Sequence, residues 1–153
     1  MEMKKALVVL AASLMSALAL AQDGGLVTRQ SKYSVAETAA RLDAAIKSSG
    51  TYKVFFRLDH AANAAEEAGV QILPSQLILF GNPKGGAPLL QASATLGIDL
   101  PNRALIWEDA SGKVWVTYNE IRTLFNRHGI KRTDEQIKAI EDRQKALFDK
   151  AAD

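Results

Sequence analysis

The chain has 153 residues, 48% of them hydrophobic and 24% charged, with no cysteine and a formal net charge of +2. That length suits one domain with a core of its own. The small charge excludes the strong basic excess of a nucleic-acid binder, and the missing thiols exclude disulfides and a lipoprotein anchor.

The first residues read as an export signal. Lys4 and Lys5 form a positive start, Ala6 to Leu18 is apolar apart from Ser13 and Ser16, and Ala19-Leu20-Ala21 places small residues where a signal peptidase cuts. The run is short for a bilayer, which takes about 20 apolar residues. An uncleaved anchor helix is the alternative. Cleavage after Ala21 leaves Gln22 to Asp153 with a charge of +1, no membrane span, and a periplasmic or secreted location.

Leu26 to Tyr33 alternates weakly and is expected to be a strand. Ser34-Val35-Ala36-Glu37 is a capping box, followed by Val35, Ala39, Leu42 and Ile46 at helical spacing and by Gly50 as a stop. Tyr52 to Leu58 predicts a strand with Tyr52, Val54, Phe56 and Leu58 on one face and Lys53, Phe55 and Arg57 on the other. Asp59 then caps a short alanine-rich helix ending before Gly69. Leu77 to Phe80 reads as an interior strand, residues 81–88 as a turn, and Pro88 as the first position of a helix running to about Leu96.

Arg103 to Asp109 and Lys113 to Tyr118 predict a hairpin across Ala110-Ser111-Gly112. Asn119 is expected to cap a helix whose Ile121, Leu124, Phe125 and His128 share a face before Gly129. Residues 131–153 hold six basic and six acidic side chains around a stripe of Ile137, Ile140, Gln144 and Leu147, opened by a second capping box at Thr133 to Gln136. This C-terminal amphipathic helix is expected to dock on the domain that carries it, with a second subunit as the alternative. The order of elements predicts an α+β fold with a largely antiparallel sheet packed on helices.

Four stretches carry a family resemblance. They are D-H-A-A-N-A at 59–64, I-L-P-S-Q-L-I-L-F-G-N-P-K-G-G-A-P-L at 72–89, G-I-D-L-P at 97–101, and W-E-D-A-S-G-K-V-W-V-T-Y at 107–118. Over about Tyr33 to Gly129 the chain resembles the prokaryotic family called domain of unknown function 302. The resemblance implies a curved sheet around a long helix, similar to the TATA-binding-protein and helix-grip folds, without implying DNA binding. It leaves residues 22–130 as the family domain and 131–153 as an added helix.

The candidate chemistry lies at strand ends. His60, beside Asp59, can serve as general base, proton relay or ligand to a metal or haem; alternatively Asp59 caps the helix and His60 packs. Glu108 and Asp109 are the acidic candidates to join His60, but neighbours on a strand point to opposite faces, and both also suit the exposed end of a hairpin. His128 reads as a packing residue. Two histidines and no cysteine leave no metal site to assign and no cofactor is identified.

In 81–86, Asn82, Lys84, Gly85 and Gly86 resemble a phosphate loop only loosely, lacking the spacing of one, though glycines, a cation and free N–H groups at a helix start favour anions. A shaped turn is the plainer reading. Trp107, Trp115 and Tyr118 suit a ligand pocket, a core or a dimer interface, with core packing the default. The expected function is an exported, non-catalytic homodimer that binds a small ligand through His60, Asn82, Lys84, Gly85, Trp107 and Tyr118. Two alternatives stand beside it: an enzyme using His60, Asp59 or Glu108 with an anion on the 84–86 turn, and an interaction module.

Overall fold

A computed structural model describes residues 24–153, so the expected signal segment and its cleavage site lie outside the described residues. The elements run β1 (Leu26–Ser31), α1 (Val35–Ser48), β2 (Lys53–Asp59), α2 (His60–Ala68), β3 (Ser75–Gly81), α3 (Pro83–Ala92), a 3-10 helix (Ala94–Ile98), β4 (Asn102–Glu108), β5 (Val114–Asn119), α4 (Ile121–Arg127) and α5 (Asp134–Ala152). The five strands make one open antiparallel sheet in the order β1-β5-β4-β3-β2. The expected α+β class is therefore the one observed.

Local sequence explains most helix starts. The Ser34 hydroxyl accepts from the Glu37 N–H, and Thr133 and Gln136 make both halves of a capping box at α5. Asp59 accepts from the Ala62 N–H at 2.9 Å, and Gly69 closes α2 in the left-handed region. Helices α1 and α5 lie side by side on one face of the sheet. Between them and Ile78, Phe80, Ala104, Ile106 and Val116 they bury Leu42, Ile46, Leu147 and Phe148. Phe148 stacks on Tyr118 with ring centres 3.9 Å apart and meets Phe80 edge-on at 5.9 Å. Full burial of such a side chain contributes about 1.5–3 kcal/mol, so α5 is part of the main core and docks in cis as expected. Arg29 of edge strand β1 pairs with Asp149 and Asp153, fastening the end of α5 to the sheet.

Three expectations need correction. In β2, Val54 pairs with Phe80 and Phe56 with Leu79, so Phe55 is an extra residue that bulges from the ladder. The bulge reverses the faces beyond it: Arg57 turns toward α1 and bonds Asp43, while Phe56 turns away from the helices and is 55% exposed. Second, α3 begins at Pro83 under an Asn82 cap and Pro88 lies inside it; the helix stops at Ala92 and the 3-10 helix follows. Proline suits the first helical position, and here Pro83 holds it. Third, Asn119 ends β5, and Glu120 precedes α4 without a side-chain cap bond.

Candidate functional site

The strand-end candidates resolve into structural roles. Asp59 caps α2 and also accepts from Gln76 Nε2 at 3.1 Å, with His60 half-buried at the first helical position. Glu108 ends β4, where its N–H donates to the Pro74 carbonyl. Asp109 accepts from the Ser111 hydroxyl at 2.6 Å, the Trp115 indole at 2.8 Å, and the Ser111 and Lys113 N–H groups, locking the hairpin turn. Those bonds, the Ser111 hydroxyl first and the Trp115 indole next, hold its carboxyl well below the usual carboxylate range. Trp107 stacks on Trp115 at 6.4 Å and donates to Thr117, on the sheet face away from the core. Tyr118 is a core residue stacked on Phe148, its phenol pKa pushed up by burial.

The 81–86 segment lies at the other end of the sheet. Gly81 pairs with Lys53 at the start of β2, whereas His60 follows the end of that seven-residue strand, a separation of about 20 Å at 3.3 Å per residue. The enzyme alternative, with His60 acting on an anion held at Lys84 to Gly86, is thereby corrected: the groups do not converge. Two of the N–H groups at this turn are also engaged within the protein. Asn82 accepts from the Lys84 N–H through its side chain and from the Gly86 N–H through its carbonyl, and no helix starts at Pro88. Lys84 is exposed.

What the 81–86 segment does build is one wall of a cavity of about 640 Å³. Asn82, Gly85, Gly86, Leu89 and Leu90 from α3 and its cap, Leu96 and Gly97 from the 3-10 helix, and Leu100 after it form one side. Ile121, Leu124 and Phe125 of α4 and Ile140, Arg143 and Gln144 of α5 form the other, with Tyr52, the bulged Phe55 and Asn102 at the sheet end. The volume lies within the roughly 300–1,000 Å³ typical of ligand pockets. Leu96, Ile121 and Phe125 of this lining belong to a smaller buried cluster with Ile130 and Ile137, distinct from the main core. Of the expected ligand residues it brings together Asn82 and Gly85, and leaves His60, Lys84, Trp107 and Tyr118 outside its lining. Tyr118 lines a separate pocket of about 240 Å³ beside Glu120 and Glu141.

Two arrangements were not foreseen. His128 is no mere packing residue: its side chain is 6% exposed, its Nε2 meets Asp99 Oδ2 at 2.6 Å, and its Nδ1 meets Thr95 Oγ1 at 2.9 Å. Arg127 adds a second partner to Asp99 at 3.1 Å. This chain of bonds joins the 3-10 helix to the end of α4, two elements that pack together through Leu96, Ile121 and Phe125 and both line the cavity. Gln144, read as part of an apolar stripe, is 3% exposed and borders both pockets. The sequence signals were a lone amide between Ile140 and Leu147 and the acid of G-I-D-L-P, but their partners are remote in the chain.

Comparison with known proteins covers the same region. Over 119 residues the chain is 51% identical to "Fluoride-specific ion channel FluC 1" of Brucella suis and equally to a protein of that name from Brucella abortus, covering 77% of this chain but 46% and 43% of theirs. The chain thus spans less than half the length of these relatives. A crystal structure of the uncharacterized conserved protein DUF302 from Bacillus stearothermophilus superposes with a TM-score of 0.69 over 83% of this chain and 98% of that one, at 20% identity, which speaks for the fold alone. The family profile described as "Domain of unknown function DUF302" matches residues 27–150, taking in most of α5 as well as the stretch that ends at Gly129. The chain belongs to the DUF302 family.

Proposed function

We propose that this chain is an exported, non-catalytic domain that takes a small, largely apolar molecule into the cavity between α3, the 3-10 helix, α4 and α5. The carrying observation is the 640 Å³ space itself, lined by Leu, Ile and Phe side chains with Gly, Pro and Ala positions between them and polar groups from Thr51, Tyr52, Asn82, Asn102, Arg143 and Gln144. An apolar molecule entering this open cleft would displace water from its Leu, Ile and Phe side chains, a favourable burial.

Export rests on the N-terminal sequence pattern. Among the described residues no helix is long and apolar enough to cross a membrane, and the channel activity named for the longer Brucella proteins is not proposed for this chain. The homodimer is retained on one ground. The sheet face turned from the helices carries Phe56, Leu77, Leu79, Leu105, Trp107 and Trp115, none of them fully buried, and an isologous contact would match that row to itself. Sedimentation of Phe56→Lys against the parent tests this contact, with a fall from dimer to monomer expected and a parent that is already monomeric contradicting it.

The ligand reading is tested by thermal shift against haem, divalent metals, phosphorylated metabolites and fatty acids, since a specific ligand raises the melting temperature by mass action. Apolar amphiphiles are expected to raise it, and Ala87→Trp, which fills the cavity lining, to remove the response while leaving the unliganded melting temperature close to that of the parent. A shift equally large in Ala87→Trp would place the ligand elsewhere.

A further inference from the structure

The polar side chains of the cavity are not scattered. Tyr52, at the entry to β2, lies beside the Arg143 guanidinium in the cavity lining, and Gln144 follows Arg143 on α5. Arg143, like Lys150 and unlike the two other cations of that helix, makes no ion pair among the described residues. Lys138 and Lys145 are each paired with a carboxylate four residues on, Asp142 and Asp149. The positions three and four residues from Arg143 are Ala139, Ile140, Ala146 and Leu147, and among the described residues no ion pair to Arg143 is made. A cation therefore stands at the edge of an apolar cavity with its charge unbalanced.

Gln144 adds a second observation. The residue is 3% exposed and lines the cavity, and its amide makes no hydrogen bond among the described residues while remaining open to the cavity space; the sealed polar atom without a partner is Arg29 Nε, not this amide. An amide that faces the cavity and is not committed to the protein is free to bond a guest there. Its NH₂ can donate to an acceptor, as can the Tyr52 hydroxyl and the Arg143 fork.

We infer that the ligand is a monocarboxylic acid with an apolar tail, its carboxylate held by Arg143, Tyr52 and Gln144 and its tail lying against Leu89, Leu96, Leu100, Ile121 and Phe125. The inference rests on the cavity being the binding site. Arg143 offers a planar fork that matches the two oxygens of a carboxylate. One unbalanced cation neutralises one negative charge, which favours a carboxylate over a phosphate monoester carrying about −1.5 to −2 at neutral pH. The two neutral donors complete the acceptor sites of the head without adding charge.

The experiment compares decanoate, 1-decanol and decyl phosphate by calorimetric titration into the purified chain, its Arg143→Gln variant and its Gln144→Leu variant. Decanoate is expected to bind at least roughly tenfold more tightly than 1-decanol, the increment of a charge-assisted contact. Arg143→Gln, at an exposed position outside the core, should remove that preference, lowering decanoate affinity about tenfold more than 1-decanol affinity. Gln144→Leu should weaken decanoate and strengthen 1-decanol. Equal affinity for acid and alcohol, a preference that survives Arg143→Gln, or tighter binding of decyl phosphate overturns the carboxylate assignment and leaves the cavity in place. No binding by any of the three overturns both.

Discussion

His128 and Asp99 are joined by a 2.6 Å contact between Nε2 and Oδ2, with both side chains over nine-tenths buried. Because Thr95 holds the other ring nitrogen at 2.9 Å, the imidazole spans from α4 to the 3-10 helix. Leu96 and Gly97 beside this tie and Leu124 and Phe125 of α4 line the cavity, so the tie fastens together two of the elements that form it.

Acid stability should report on that tie. The Asp99 carboxyl is held below its ordinary value of 3.8, chiefly by the His128 hydrogen bond, with Arg127 assisting and burial opposing. A carboxyl depressed in the folded state stabilises fully above its unfolded pKa and loses that contribution as pH falls through the folded one. Asp99→Asn is therefore expected to lose about 2 kcal/mol at neutral pH, the worth of hydrogen bonds to a charged group. Its stability should approach that of the parent as pH drops below 3.8. Urea titrations across that range check this, and parallel curves with a constant offset would contradict it.

Phe148 carries the docking of α5. Phe148→Ala should cost about 3–5 kcal/mol, as large-to-small aromatic changes in cores do. A chain ending before Lys131 loses Leu147, Phe148, Ala151 and Ala152 from the main core and should no longer unfold cooperatively. Calorimetry would show a sharp transition in the truncated chain if α5 were an accessory.

Gly25 is required for a different reason. Its φ is +87° and an added Cβ would overlap the Thr123 side chain, while its carbonyl accepts from the Glu120 N–H at 2.6 Å. Gly25→Ala combines a left-handed backbone with a clash and should destabilise by more than about 1 kcal/mol. Gly50→Ala has the same sign of φ but open space around it, and its smaller loss separates backbone strain from overlap.

Legibility in the sequence followed the range of the interactions. Ser34 with Glu37, Asp59 with Ala62, and Thr133 with Gln136 are partners three residues apart, so their caps are visible in the string. The hairpin and the apolar stripes of α1 and α5 follow from period alone. The bulge at Phe55 was not visible, because alternation cannot reveal an unpaired residue whose position the partner strand sets. Pro83 and Pro88 both suit a helix start, and the Asn82 cap decided between them. For the site, Asn82 and Gly85 were legible as a shaped segment, whereas Asp99 with His128 and Tyr52 with Arg143 meet only after α4 and α5 pack. The strand-end carboxylates drew attention through their neighbours in sequence, and those neighbours turned out to be their caps and turns.

The most direct test of the cavity as a ligand site is a nuclear magnetic resonance titration of the chain with decanoate, following methyl, indole and backbone signals together. The account predicts saturable shifts at Leu96, Leu100, Ile121 and Ile140, which line the cavity, with the indole signals of Trp107 and Trp115 unmoved. Shifts confined to those indoles, or shifts that grow without saturation across the surface, would contradict it.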